Sequence, residues 1–170
     1  KPLNKDARLR LLGSGTILRE VRKAAEILRK EYSVAVDVWS VTSFNELRRD
    51  ALAVSRENML CPDKKPKLPF VTEKLAKQKG PIIAATDYMK AYSDQIREFV
   101  PDSYRVLGTD GFGRSDSRER LRHFFEVDSK FVVLAALTDL KELGLVDPKA
   151  ILAHMKKTGI KRAKANPLHQ

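Results

Sequence analysis

Apolar residues fall in two kinds of run along this chain, and the alternation between them predicts the fold. Leu9, Leu11 and Leu12 form a compact run around Arg10, closed by Gly13-Ser14-Gly15. From residue 16 to 31 the period lengthens, with Ile17, Leu18, Val21, Ala24, Ala25 and Leu28 recurring every three to four positions. This reads as a strand, a tight glycine turn and an amphipathic helix. The plan then repeats. Residues 34–41 are compact and β-branched, and Ser43 with Glu46 has capping-box spacing for a helix toward Leu60. Cys61-Pro62-Asp63-Lys64-Lys65-Pro66 breaks that helix, because proline cannot continue it.

A third strand is predicted over residues 82–86, with Asp87 capping a helix to about Phe99 that Pro101 closes. The fourth is Tyr104-Arg105-Val106-Leu107-Gly108, opening into a loop with two glycines over residues 109–115. Asp116 with Glu119 again has capping-box spacing, for a helix through Phe125. Asp128 caps the next helix and Gly144 ends it; Asp147-Pro148 starts a last one that stops near Gly159, leaving residues 160–170 as an extended tail. Nearly all-apolar strands alternating with helices predict a three-layer α/β fold, with a mostly parallel sheet of about four to five strands and helices on both faces.

The chain has 170 residues, a length suited to one domain spanning 1–170. A single cysteine, Cys61, excludes an internal disulfide and fits a reducing compartment. The longest apolar run, residues 131–137, is far below the roughly 18 residues of a membrane span. Lys1-Pro2-Leu3-Asn4-Lys5-Asp6 has no apolar signal-peptide core behind it. The expectation is a cytoplasmic protein with no membrane partner. The 33 Lys and Arg against 22 Asp and Glu leave a formal charge of +11, which raises nucleic acid as a partner. Against it, basic and acidic residues alternate outside 64–79 and the tail, as on solvated helix faces, and no basic-aromatic array is present for base stacking. The expectation is no nucleic acid.

In such sheets ligands meet the carboxyl ends of the strands. Four loops converge there, at 13–15, 42–44, 86–88 and 109–115. Gly13-Ser14-Gly15 resembles the start of a dinucleotide fingerprint, but the third glycine position holds Leu18 and Asp37 lies mid-strand. A turn glycine is the plainer reading, with an anion or nucleotide site built from 13–15, 109–113 and Arg114 as the alternative. Asp110-Gly111-Phe112-Gly113 lacks every other kinase motif, and Ser117 stands where a nucleophile elbow needs glycine. His123, His154 and His169 have no metal-pair spacing, and Cys61 reads as an unremarkable thiol. No catalytic, cofactor-binding or metal-ligating set can be assembled from these residues.

Several segments together resemble one family. They are Leu12-Gly13-Ser14-Gly15-Thr16-Ile17-Leu18-Arg19-Glu20, the run from Asp37-Val38-Trp39-Ser40 to Arg49-Asp50, Ala85-Thr86-Asp87-Tyr88-Met89, and Gln95-Ile96-Arg97. Gly108-Thr109-Asp110-Gly111-Phe112-Gly113-Arg114-Ser115-Asp116 and Leu121-Arg122-His123-Phe124-Phe125-Glu126-Val127-Asp128 complete the pattern. The chain is similar to the C-terminal, transketolase-like third domain of the homodimeric bacterial pyruvate dehydrogenase decarboxylating component. The likeness is weakest at 61–79 and after about 160. It implies a parent enzyme that decarboxylates pyruvate on thiamine diphosphate with magnesium and acetylates the lipoyl group of the acyltransferase component. In that family two other domains hold the cofactor, and their Gly-Asp-Gly signature is missing here, where residues 109–111 read Thr-Asp-Gly. The implied role of this chain is dimer and scaffold contact, as a domain excised from the longer enzyme.

The loop at 109–116 is then the candidate interface. Gly111 and Gly113 let it fold tightly over the strand end, and Phe112 between them is a large apolar anchor. It enters a pocket of this domain or of a neighbouring one, or else the domain core. Arg114 is expected to pair with Asp87 or Asp110, and Asp116 to cap the following helix.

Overall fold

A computed structural model describes residues 7–169, so the reading of Lys1 to Asp6 lies outside the described residues. Four strands, β1 (Arg8–Gly13), β2 (Ala35–Ser40), β3 (Ile82–Ala85) and β4 (Tyr104–Leu107), form one all-parallel sheet in the order β2-β1-β3-β4. Each of the first three strands is followed by a crossover, as parallel neighbours require. The first, α1 (Leu18–Tyr32), presents Val21, Ala24, Ala25 and Leu28 to the sheet. Next comes α2 (Phe44–Leu60), where the Ser43 hydroxyl accepts from the Glu46 N–H as expected. After β4, α5 (Arg118–Phe124), α6 (Ser129–Glu142) and α7 (Pro148–Thr158) follow.

Strand pleating sorts the apolar residues into two cores. Leu9, Leu11, Ile83 and Ala85 face α1 and α6, and α6 is apolar almost all round because α7 packs behind it. Leu12, Ile82, Ala84 and Tyr104 face Phe44 of α2 on the other side. Asp128 and Asp147 cap α6 and α7, and Gly159 ends α7 with φ 74°, all as expected.

Four features differ from the sequence expectation. The basic break at 61–79 contains a helix, α3 (Phe70–Leu75), pinned by buried Val71 and Leu75 and by Asp50, whose carboxylate accepts the Phe70 N–H at 2.8 Å. Asp87 caps nothing: α4 (Lys90–Asp94) starts three residues later, and its first N–H, that of Lys90, is taken by Asp110 from across the loop at 3.0 Å. Ser117, not Asp116, caps α5, its hydroxyl accepting from the Arg120 N–H, while Asp116 accepts from the Ser117 N–H at 2.6 Å. Finally, the segment after α7 is no extended tail through His169. It turns back with Ile160 and Pro167 buried, and the Lys164 amine donates to Phe124 O at 2.8 Å and to Glu126 at 2.9 Å.

A fifth departure, and the strongest, is Arg10. It occupies an inward position of the central strand, with 1% of its surface exposed. Its guanidinium donates to Leu75 O at the end of α3, to Gly80 O before β3, and to the Asp102 carboxylate before β4. A buried cation is tolerated when its charge is met in this way; both terminal nitrogens are engaged, while the buried Nε has no partner among the described residues. Replacing Arg10 with Met keeps the apolar stem but strands both carbonyls and Asp102. Urea unfolding should show a loss of about 3 kcal/mol, and a loss below about 1 kcal/mol would refute the clamp.

A second prediction concerns Asp139 of α6, buried against Arg105 of β4, whose Nε donates to it at 2.6 Å. Burial outweighs the attraction of Arg105 and raises the carboxyl above its ordinary 3.8, with Glu142 adding to the rise. The folded state therefore holds this proton more tightly than the unfolded state. The stabilisation it gives is full below pH 3.8 and is lost as the pH climbs through the raised folded value. Subtracting Asp139→Asn stability from wild type should give a difference that falls as pH rises over that window. A difference that rises would reverse the assignment.

Candidate functional site

Strand order reverses between β1 and β3, so a ligand crevice is expected at their carboxyl ends. The turn after β1 is shaped by its glycines. A β-carbon on Gly13 would lie 2.9 Å from the Leu18 Cα, and Gly15 has φ 53°. Ser14 N donates to Ala85 O, and the Ser14 hydroxyl donates to the Thr86 hydroxyl at 2.9 Å. Two residues on, the Thr16 hydroxyl donates to Asp87 at 3.1 Å and accepts from Arg122 at 3.3 Å. The Ser14 N–H and the Ser14 and Thr16 hydroxyls are thus used within the edge itself, and Asp87 adds a negative charge.

Below this, Glu20 joins three helices. Its carboxylate accepts from Arg122 of α5 at 3.1 Å and from the Ser129 N–H at the start of α6 at 3.1 Å. The buried Glu20 was within reach of the sequence, since it lies on the apolar stripe of α1 between Ile17 and Ala24. Nothing in the local pattern marks Arg122 as its partner.

The loop after β4 lies against the segment after β3. Thr109 N donates to Tyr88 O at 2.8 Å, and a β-carbon on Gly108 would meet that same oxygen at 2.8 Å. Gly111, with φ 94°, presses on the C-terminal segment, where a β-carbon would lie 2.6 Å from Pro167 O. Phe112 is 81% exposed, so it enters neither a pocket of this domain nor its core. Tyr88, Met89 and Tyr92 are exposed beside the same loop, with the two tyrosine rings 5.6 Å apart. Arg114 pairs with neither Asp87 nor Asp110, because Thr16 holds the first and Lys90 the second. Its guanidinium lies instead over the Phe124 ring, 4.5 Å from the centroid, and the Lys164 amine is 5.5 Å from the same centroid. Of the five candidate interface residues, Asp87, Asp110, Phe112 and Arg114 sit on or beside one surface, and Asp116 lies at its margin before α5.

His154 is buried, its ring nitrogens facing the Tyr32 hydroxyl at 3.2 Å and Lys130 O at 2.9 Å. His123 faces Asp128 at 2.9 Å. Among the described residues no three His, Cys, Asp or Glu side chains group as a metal site would need. The carboxylates at the strand ends, Asp87 and Asp110, are each engaged by the fold and face a hydroxyl and an amine. These residues do not fit a magnesium diphosphate. No helix is long and apolar enough to cross a membrane among the described residues.

The chain is 58% identical over 161 residues to the pyruvate dehydrogenase E1 component of Pseudomonas aeruginosa, and 53% over 161 residues to that of Escherichia coli K12. It is 49% identical over 161 residues to the corresponding protein of Cupriavidus necator. Each match covers 94–95% of this chain but 18% of the relative, so the chain spans 18% of the length of the curated relatives it matches. The family model of the transketolase-like TK C-terminal domain matches residues 1–128, which include all four strands, the Gly13–Gly15 turn and the 109–116 loop. With its parallel sheet and internally bonded strand ends, this chain belongs to the transketolase-like C-terminal domain family.

Proposed function

We propose that this chain is the C-terminal domain of a pyruvate dehydrogenase first component, and that it contributes dimer and scaffold contacts, with no catalytic, cofactor-binding or metal-ligating residue of its own. The parent enzyme decarboxylates pyruvate and passes the acetyl group to the lipoyl group of the acyltransferase component. Thiamine diphosphate with magnesium, held by other domains, supplies the electron sink for that decarboxylation. The parent acts as a cytoplasmic homodimer, with no nucleic-acid or membrane partner. The similarity to three pyruvate dehydrogenase E1 components supports this reading.

One observation carries the role of this domain. Phe112, 81% exposed, projects from a loop braced on both sides, by Tyr88 and by the C-terminal segment. A large aromatic side chain on a rigid loop beside Tyr88 and Met89 is suited to seat in a neighbouring domain or subunit. Asp110 holds the loop to the start of α4, Arg114 holds it to Phe124, and Asp87 fixes the adjacent turn through Thr16.

Phe112→Ala should leave the stability of this chain within about 0.5 kcal/mol of wild type. In the full-length enzyme it should weaken dimer assembly by sedimentation while leaving thiamine diphosphate affinity per assembled dimer intact. Lost cofactor affinity with unchanged assembly would overturn the interface role. Pyruvate decarboxylation by this chain alone, above a blank containing thiamine diphosphate and magnesium, would overturn the absence of catalytic residues.

A further inference from the structure

Several cations of this chain gather in space where α1, α5 and α6 meet. Between α5 and the start of α6 lies a cleft of about 890 Å³. Six Lys and Arg residues line it against three carboxylates. Two of those carboxylates are spent inside the fold. Glu20 accepts from Arg122 and Ser129 N, and Asp128 accepts from Phe131 N and faces His123. Arg122 and Lys164 are likewise committed, the latter to Glu126 and Phe124 O, and they form fixed walls.

The remaining cations are different. Among the described residues, neither Arg118 of α5 nor Lys130 of α6 has a carboxylate within 4.0 Å. Arg120 has only Asp116 at 3.7 Å, and Lys23 of α1 shares Glu20 at 3.4 Å. Lys130 is half-buried as well. Unmatched cations on α5 and α6, with the partly matched Arg120 and Lys23 beside them, surround one concavity and focus a positive potential into it.

We propose that this cleft binds a small polyphosphate anion. Guanidinium forks on Arg118 and Arg120 match phosphate oxygens bidentately, and the Lys130 and Lys23 amines meet further oxygens as point charges. Cations spread over α1, α5 and α6 suit a chain of two or more phosphates better than a single carboxylate. Nucleic acid is disfavoured, because the aromatic ring in the cleft, Phe124, is already covered by Arg114 and Lys164 and offers no face for a base. The proposal does not depend on the interface role of the 109–116 loop.

Calorimetric titration of the chain with tripolyphosphate at low ionic strength tests it. One saturable site per chain is expected, weakening as salt rises. Replacing Arg118 and Lys130 together by Gln should weaken binding about tenfold or more. Replacing Lys64 and Lys65 by Gln, an equal charge loss on an exposed loop, should change it less than roughly twofold. Glu119→Gln, which removes the uncommitted carboxylate of the cleft, should tighten binding. Thermal melts confirm that each variant is folded; if the Arg118 and Lys130 pair fails to fold, the Glu119→Gln tightening decides. The proposal is overturned by absence of a saturable site, by equal weakening in the two double variants, or by a Glu-rich peptide that binds the same cations more tightly than tripolyphosphate.

Discussion

The guanidinium of Arg10 holds the amino-terminal end of the sheet. It stands on β1 between Asp37 of β2 and Ile82 of β3, which in turn pairs with Tyr104, so all four strands meet at its level. Its bonds run to the residues that lead into β3 and β4, before either strand begins. Charge-assisted bonds of this kind depend on direction, unlike apolar packing, which tolerates a sliding register. The apolar cores on the two faces hold the layers together, and Arg10 determines which residue of one strand lies beside which residue of the next.

At the opposite end the fastening is chemically different. Hydroxyls and neutral backbone groups join β1 to β3 through Ser14 and Thr86, and the one deeply placed ion group, Glu20 with Arg122, lies a turn further out between helices. This explains why an edge suited by topology to bind a ligand is instead occupied by its own side chains. The glycines there let backbones approach one another at Gly13 and Gly108, and the approach is to protein, at distances that would exclude even a β-carbon.

Much of this was legible in the sequence because local signals agreed with the fold. The strand-turn-helix at the start, the Ser43, Asp128 and Asp147 caps and the Gly159 stop all depend on residues within one turn of each other. What escaped depends on distant partners. Arg10 in an apolar run gave no sign of burial, since its acceptors are 65 to 92 residues away. The six-residue α3 sits in a lysine- and proline-rich stretch and is held by Asp50 from the preceding helix. The cap of α4 comes from Asp110, twenty residues downstream. Asp116 and Ser117 both suit a cap, and the local pattern does not separate adjacent candidates. The site was the harder part to read. The loop's glycines and its aromatic were visible, but Arg114 was assigned a carboxylate when each candidate already had a partner. Charge matching was hidden for the same reason: Lys67 faces Glu57 ten residues back, whereas Arg118 and Lys130 of the α5–α6 cleft, from separate segments, have no carboxylate within 4.0 Å among the described residues.

The carboxyl edge is closed by contacts between residues very far apart in the chain: 72 positions for Ser14 and Thr86, 106 for Thr16 and Arg122, and 109 for Glu20 and Ser129. Each requires a large loop to close before the bond forms, so such contacts are late events when a chain folds. The first two strands with α1, by contrast, draw on neighbours within one short crossover. During synthesis the sheet can therefore begin to form while its carboxyl edge stays open, and only the arrival of α5 and the start of α6 completes it. The Phe112 loop is braced by Pro167 and Leu168, which emerge after every strand of the sheet and after α7, so its projecting aromatic is held in place only once those elements have been made.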